Sequence, residues 1–439
     1  MTEKWDIVIV GGGLAGYVAA TYLARTDLSI LVLEKGGRLG GRAGTNKIKQ
    51  QYLNVGPHAL AKKGIAKSVL EELGIRLSGK SPKVGGILVE NDLEYAAPFS
   101  PLELFTTRLL NPRERMEWIA VLWKVMNTNP DNLAEQTFQQ WVTQVAYSER
   151  CKQLLHVLGR LSTYCNAPET ASAKVMLSSM KQAMKGVLYL DGGWQTIIDQ
   201  LHSKAVNSGV QVRTRTPVKQ IVPLEQDHFK LILANDEDIH TKYIICTTGP
   251  QELAKMLDDN VHLDQKRFLG EIIAVRGATL DLALTQLPNP NNLFAMGITD
   301  PLYYSVHSTY ARLSDDPKNV VLHVFKYHHP ADQVDEKRIK DELKRFLDQL
   351  QPGWQQYMIT KRFIPDITVN QRLPQVGDEQ KLQRFKTGIP GVYIAGDWAS
   401  PHSILSDAAV SSGKQAAEEV ILEEKRRNRA DHGARVSAI

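Results

Sequence analysis

A glycine-rich motif stands near each end of this chain. Early on, Asp6-Ile-Val-Ile-Val10 runs into Gly11-Gly-Gly-Leu-Ala-Gly16, and late in the chain comes Gly391-Val-Tyr-Ile-Ala-Gly396-Asp397-Trp398. The first motif dictates a local structure. Trp5 to Val10 is apolar and β-branched, as suits a strand buried on both faces. Gly11 permits a tight turn, Gly13 lets the backbone approach a pyrophosphate, and Gly16 lets a helix pack close to the strand. Leu14 to Arg25 carries apolar residues at helical spacing, so the free N–H groups around Leu14 and Ala15 point at the phosphates. A second strand, Leu28 to Leu33, ends in Glu34, placed to accept ribose hydroxyls and to disfavour a 2′-phosphate. Lys35 follows it at the same edge. The order strand, glycines, helix, strand, acid describes a dinucleotide cradle. The late motif reads as a strand returning to that cradle, with the middle of the chain inserted between.

Directly after the acid comes Arg38-Leu-Gly40-Gly41-Arg42-Ala-Gly44-Thr45. Its glycine pair and two guanidinium groups can meet the pyrophosphate and ribityl side of a cofactor longer than NAD. This stretch resembles the glycine-doublet motif of the flavin amine oxidase, protoporphyrinogen oxidase and phytoene desaturase superfamily. Thr247-Thr248-Gly249-Pro250 is similar to that superfamily's middle motif, and Gly396-Asp397-Trp398 to its third. The resemblance runs in order from about residue 5 to 422 and is closest to the phytoene-desaturase-like members. It implies FAD, with Asp397 on the ribityl chain and backbone near Val218 beside the adenine. It also implies that Gly56, Pro57 and His58 pass beside the isoalloxazine. The late helix, entered through Leu405, Ser406 and Ala408 and capped by Ser406, would direct its dipole at the flavin. No cysteine lies between Asp397 and Gly413, so FAD is expected to be non-covalent, with His402 a remote alternative attachment point. That segment also lacks a tyrosine for an aromatic amine cage, and only Lys326, in a strand pattern, offers itself as the lysine of amine oxidases.

The resemblance implies an α/β fold: a Rossmann-type FAD-binding domain with an inserted α+β substrate domain. The FAD-binding parts are expected at 1–80, 187–255 and 385–424, and the substrate domain at 81–186 and 256–384, helical over 101–185. Strands are expected at Gln211 to Thr214, Pro217 to Val222, Phe229 to Leu233, Tyr243 to Cys246, Gly277 to Thr285 and Val320 to Tyr327. Residues 425–439 read as a charged, solvated, partly disordered tail.

Four residues are candidates on the substrate side. His58 has the chemistry of an acid/base or a hydrogen-bond donor, with a loop-capping ring as the equal alternative. Trp194, in the turn Asp191-Gly-Gly-Trp-Gln195, lines the cavity or packs. In Tyr303-Tyr304-Ser305-Val306-His307-Ser308, alternation separates Tyr304 from His307; one face looks into the site, or these are satisfied polar groups of the core.

Hydrophobic content of 43%, charged content of 23% and a net charge of +5 are ordinary for a globular protein. No dense basic run with interleaved aromatics appears outside the tail, so nucleic acid is not an expected partner. Three distant cysteines, a Met1-Thr-Glu-Lys start and no apolar run of about 18 residues lead us to expect a cytoplasmic protein. A peripheral membrane contact through Trp118 and Trp123 is a secondary reading, beside burial of that helix. There is no Cys-x-x-Cys and no second Gly-x-Gly-x-x-Gly, so the electron acceptor is expected to be oxygen, a quinone or another small molecule. No metal-ligand spacing is visible. The expected activity is hydride transfer from a small-molecule C–H to flavin N5, desaturase-like on an apolar or unsaturated compound. An amine or amino-acid oxidase and a flavin-dependent isomerase or non-redox flavoprotein are the alternatives. Oligomeric state is not legible.

Overall fold

The computed structural model describes residues 3–224, 228–257, 263–386 and 389–437. Two seven-stranded sheets organise them. In the first, Glu3–Val10 lies between Ile30–Leu33 and Asp238–Cys246, all parallel, with Gln211–Arg213 beyond Ile30–Leu33. The nine-residue strand Asp238–Cys246 serves two partners. Its first half pairs antiparallel with His228–Leu233, and its last three residues pair parallel with Val392–Ile394 from the far end of the chain. Val218–Leu224 closes that edge. The two glycine motifs therefore follow strands that finish at the same carboxyl end of the sheet, Val10 and Ile394 both level with Cys246. Every residue of the helix Leu14–Leu23 is buried, because it lies between this sheet and the long last helix, Leu405–Ser437.

Two glycines set the spacing of these layers. A Cβ on Gly16 would stand 2.1 Å from the Gly11 carbonyl oxygen, and one on Gly413 would stand 2.5 Å from that of Ala15. Both are close backbone approaches that a methyl group would block.

The second sheet runs in the order Met358–Asn370, Val275–Leu284, Val320–Tyr327, Leu302–Val306, Phe294–Gly297, Ile87–Glu90, Leu93–Ala96. Helices Pro101–Thr106, Pro112–Asn127, Phe138–Val145, Glu149–Thr163 and Ala173–Ala183 form a separate core with one of its faces. Helix Glu336–Leu350 covers the other face.

Most expected strands appear within a residue or two of their predicted limits, and Asp238–Cys246 extends further back than Tyr243. Three expectations change. The last helix begins at Leu405, so Ser406 lies within its first turn and does not cap it. That helix also runs on to Ser437 where a partly disordered tail was expected. Finally, the Trp118/Trp123 pair divides. Trp118 is 0% exposed and donates its indole N–H to the Pro98 carbonyl at 2.9 Å, while Trp123 on the opposite side of the helix is 67% exposed. Among the described residues no helix is long and apolar enough to cross a membrane.

Candidate functional site

A cleft of about 590 Å³ runs from the carboxyl ends of the first sheet to the face of the second. At one end the strand Glu3–Val10 delivers Gly11 and Gly13 to its wall, and Leu14 and Ala15 follow in the first turn of the helix. That helix has no side-chain cap, so its leading N–H groups are free to bind an anion in the cleft. Glu34 is held in place by two backbone donors. Its Oε2 accepts from Gly12 N–H at 2.8 Å and its Oε1 from Gly36 N–H at 2.7 Å, with lone pairs left over for hydroxyl donors. Lys35 lines the cleft beside it and pairs with Glu252 at 3.2 Å. Val218, Thr248 and Gly249 complete this end.

The glycine doublet forms the middle. Gly40, Gly41 and Arg42 line the cleft, and the Arg42 guanidinium grips Asp397 with both Nη atoms, the Nη2–Oδ1 contact being 2.7 Å. Asp397 is 3% exposed and also accepts Gln371 N–H at 3.0 Å. Burial works against the charge on Arg42, but Asp397 outweighs it and holds the guanidinium above its ordinary pKa. The buried carboxylate expected to need donors thus has them within the protein, and one edge of the guanidinium remains on the cleft. Gly396 sits beside it.

At the far end Pro57, His58, Trp194, Tyr164, Phe325 and Ile367 enclose the space, and Leu405 and Ser406 present the start of the last helix to it. The acid in that first turn, Asp407, is directed elsewhere: its Oδ1 accepts from Ala66 N–H at 2.8 Å, at the start of helix Ile65–Glu72. His58 packs edge-on against Trp194, with ring centroids 5.2 Å apart. Its two ring nitrogens each lie 3.1 Å from a backbone carbonyl oxygen, Nδ1 from Gly56 and Nε2 from Arg42. Burial pushes the His58 pKa down. The indole Nε1 of Trp194 is buried with no partner among the described residues. Tyr164 closes helix Glu149–Thr163 in a left-handed conformation, φ +61°, and donates its hydroxyl to the Pro57 carbonyl at 2.9 Å.

Several expected site residues stand elsewhere. Tyr304 points into the core under helix Glu336–Leu350, donating to the Asn292 carbonyl at 3.1 Å and accepting from Gln351 at 3.0 Å. His307 is buried behind the cleft, stacked 3.9 Å from the Tyr189 ring. Tyr304 lies in the strand Leu302–Val306 whereas His307 begins the 3-10 turn that follows it, and neither lines the cleft. Arg38 turns outward to Asn46 and to the Thr45 carbonyl, bracing the doublet loop. Gly16 and Gly56 support the wall from behind, Gly56 against Ile367 and Thr279, and Ala409 takes the lining position expected of Ala408. Lys326 pairs with Glu342 on the outer side of the second sheet, and His402 is exposed near Glu379. Sequence reasoning missed Tyr164, Phe325, Ile367 and Gln371. Phe325 lies in a strand that was anticipated, and its alternation could have found it. The others reach the cleft only through long-range packing.

The geometry fits a long nucleotide cofactor: a bare helix N-terminus, a braced acid, a glycine doublet with a guanidinium, then an aromatic chamber. The family model described as flavin containing amine oxidoreductase matches residues 14–421. A 4,4'-diapolycopen-4-al dehydrogenase from Metabacillus indicus is 22% identical over 282 residues, 57% of each chain, so this chain aligns with little more than half of that relative. Among solved structures, a putrescine oxidase with redesigned cofactor binding superposes with a TM-score of 0.78 at 15% identity, covering 96% of this chain and all of the other. Cyclohexylamine oxidase from Brevibacterium oxydans IH-35A gives 0.70 at 16% identity, covering 96% and 99%. These superpositions share the fold.

Proposed function

This chain belongs to the flavin-containing amine oxidoreductase family, and from that premise we propose that it is a flavin-dependent oxidoreductase that binds FAD non-covalently and desaturates an apolar or unsaturated small molecule. When bound, FAD supplies the acceptor at N5 for a hydride leaving a substrate C–H. The protein's part is placement. The Leu14–Leu23 helix end and the doublet loop would bind the phosphates, Glu34 would hold the ribose, and Arg42 with Asp397 would fix the ribityl region. The start of the last helix would favour negative charge in the adjoining part of the cleft.

The observation that carries the substrate class is the chemistry of the aromatic end. Of the carboxylates lining the cleft, Glu34 and Glu252 stand at the nucleotide end and Asp397 is engaged by Arg42, so no free carboxylate among the described residues meets a substrate ammonium. What remains is Tyr164, Phe325, Ile367 and Trp194, a wall that excludes water and favours apolar ligands. The name of the dehydrogenase relative accords with this reading, while those of the structural relatives favour an amine. Anaerobic mixing of the yellow protein with both classes separates them. Bleaching of the visible flavin band by an apolar polyene and not by amines or amino acids is expected. Rapid bleaching by any amine overturns the desaturase reading, and turnover that continues without an acceptor points to isomerase chemistry.

A further inference from the structure

A neutral imidazole has one N–H and one lone pair, yet both nitrogens of His58 face carbonyl oxygens, which only accept. Whichever tautomer forms, one contact sets a lone pair against a lone pair. An imidazolium satisfies both. The site is therefore shaped for the charged ring, although burial disfavours the charge. A balance of this kind tips when a negative charge arrives nearby.

We propose that His58 takes up one proton as the flavin is reduced and releases it on reoxidation. The inference rests on the flavin seat described above. Hydride transfer brings two electrons and one proton from the substrate and adds one negative charge to the flavin, while the substrate's second proton goes to water. The proton that His58 gains comes from water and neutralises the added charge, its new N–H donating to the carbonyl of Gly56 or Arg42. His58 acts through its charge on the cleft wall and abstracts nothing from the substrate.

The groups around it fit that role. Arg42 presents its carbonyl to the ring, with its own charge committed to Asp397. From the second sheet, Asp281 favours the proton, while His323 opposes it; the neighbouring His307 is held neutral by burial. Asp281 is itself bound by His323 and by Arg362. Trp194 and Tyr164 add no charge. Burial, with His323, keeps His58 neutral at rest, while Asp281 and the two carbonyl oxygens make the ring chargeable on demand.

The test is the pH dependence of the flavin midpoint potential in the holoprotein. With His58 coupled, the equilibrium shifts about a hundredfold per pH unit within its titration window, and in His58→Gln about tenfold, each tenfold being about 30 mV for two electrons. Equal slopes in both proteins overturn the proposal. Nitrogen-15 NMR of histidine-labelled wild type needs no variant: one protonated ring nitrogen in the oxidised protein and two in the reduced are expected. The same count in both states overturns it. A protein that retains no flavin fails at the seat itself, which is a distinct result.

Discussion

Asp397 illustrates what a single residue can disclose. A carboxylate following a buried apolar strand must find donors, and here they are the Arg42 guanidinium and the Gln371 N–H. Asp397→Ala frees Arg42 and removes the brace of the doublet loop. We expect flavin retention to weaken at least tenfold, about 1.4 kcal/mol, read as the flavin-to-protein absorbance ratio after gel filtration; an unchanged ratio would contradict this role. Asp397, Glu34 and the glycines were legible because each is fixed by the few residues around it. Tyr164 was not. Its place in the chamber depends on a left-handed helix end and on a hydrogen bond to Pro57, 107 positions away in sequence. Tyr304 takes the core alternative, since strand alternation separates two faces without saying which one meets the cleft.

At the scale of elements, the contact between the first and last helices sets how the two glycine motifs meet. Gly413→Ala drives a methyl into the Ala15 carbonyl, and a loss of about 1–3 kcal/mol is expected in denaturant unfolding. No loss would mean that the helices can part without strain. Helix Pro112–Asn127 provides a matched pair. Trp118→Ala should cost about 3–5 kcal/mol, as a large buried ring does. Trp123→Ala, at an exposed position, should stay within about 0.5 kcal/mol. Similar costs at both positions would contradict the burial described. Sequence showed these two tryptophans as one cluster, since helical phase alone does not reveal which side another element covers. The strand Met358–Asn370 also escaped detection. It holds Pro365, lies at a sheet edge where proline is tolerated, and pairs through three irregularities that blur its alternation.

Across the whole molecule, burial holds the histidines His58, His156, His307 and His328 below their ordinary pKa. For His156, desolvation beside Phe138 brings it to about 4 from 6.5. The unfolded chain then binds protons that the folded one refuses, so stability is present above pH 6.5 and declines as pH falls towards 4. Asp281 adds to the loss further down: His323, Arg362 and Thr279 overcome its burial and hold it low, so its contribution vanishes as it protonates. The melting temperature should fall between pH 7 and 5, and His156→Gln should flatten part of that slope, worth about 2 kcal/mol by pH 5. A wild-type profile that stays flat over that range would contradict the buried, neutral histidines. The α/β class and the returning strand were readable from order and spacing, whereas the chamber where the two sheets meet was not, because its walls come from segments that share no local pattern.

On the reading proposed here, one cleft, from Glu34 to the start of the last helix, would seat an entire FAD without a covalent bond. Acid precipitation of the purified yellow protein tests it directly. A colourless pellet and a yellow supernatant whose flavin has the mass of FAD, one per chain, are expected. A yellow pellet, a supernatant of FMN or a protein that takes up no flavin would contradict it.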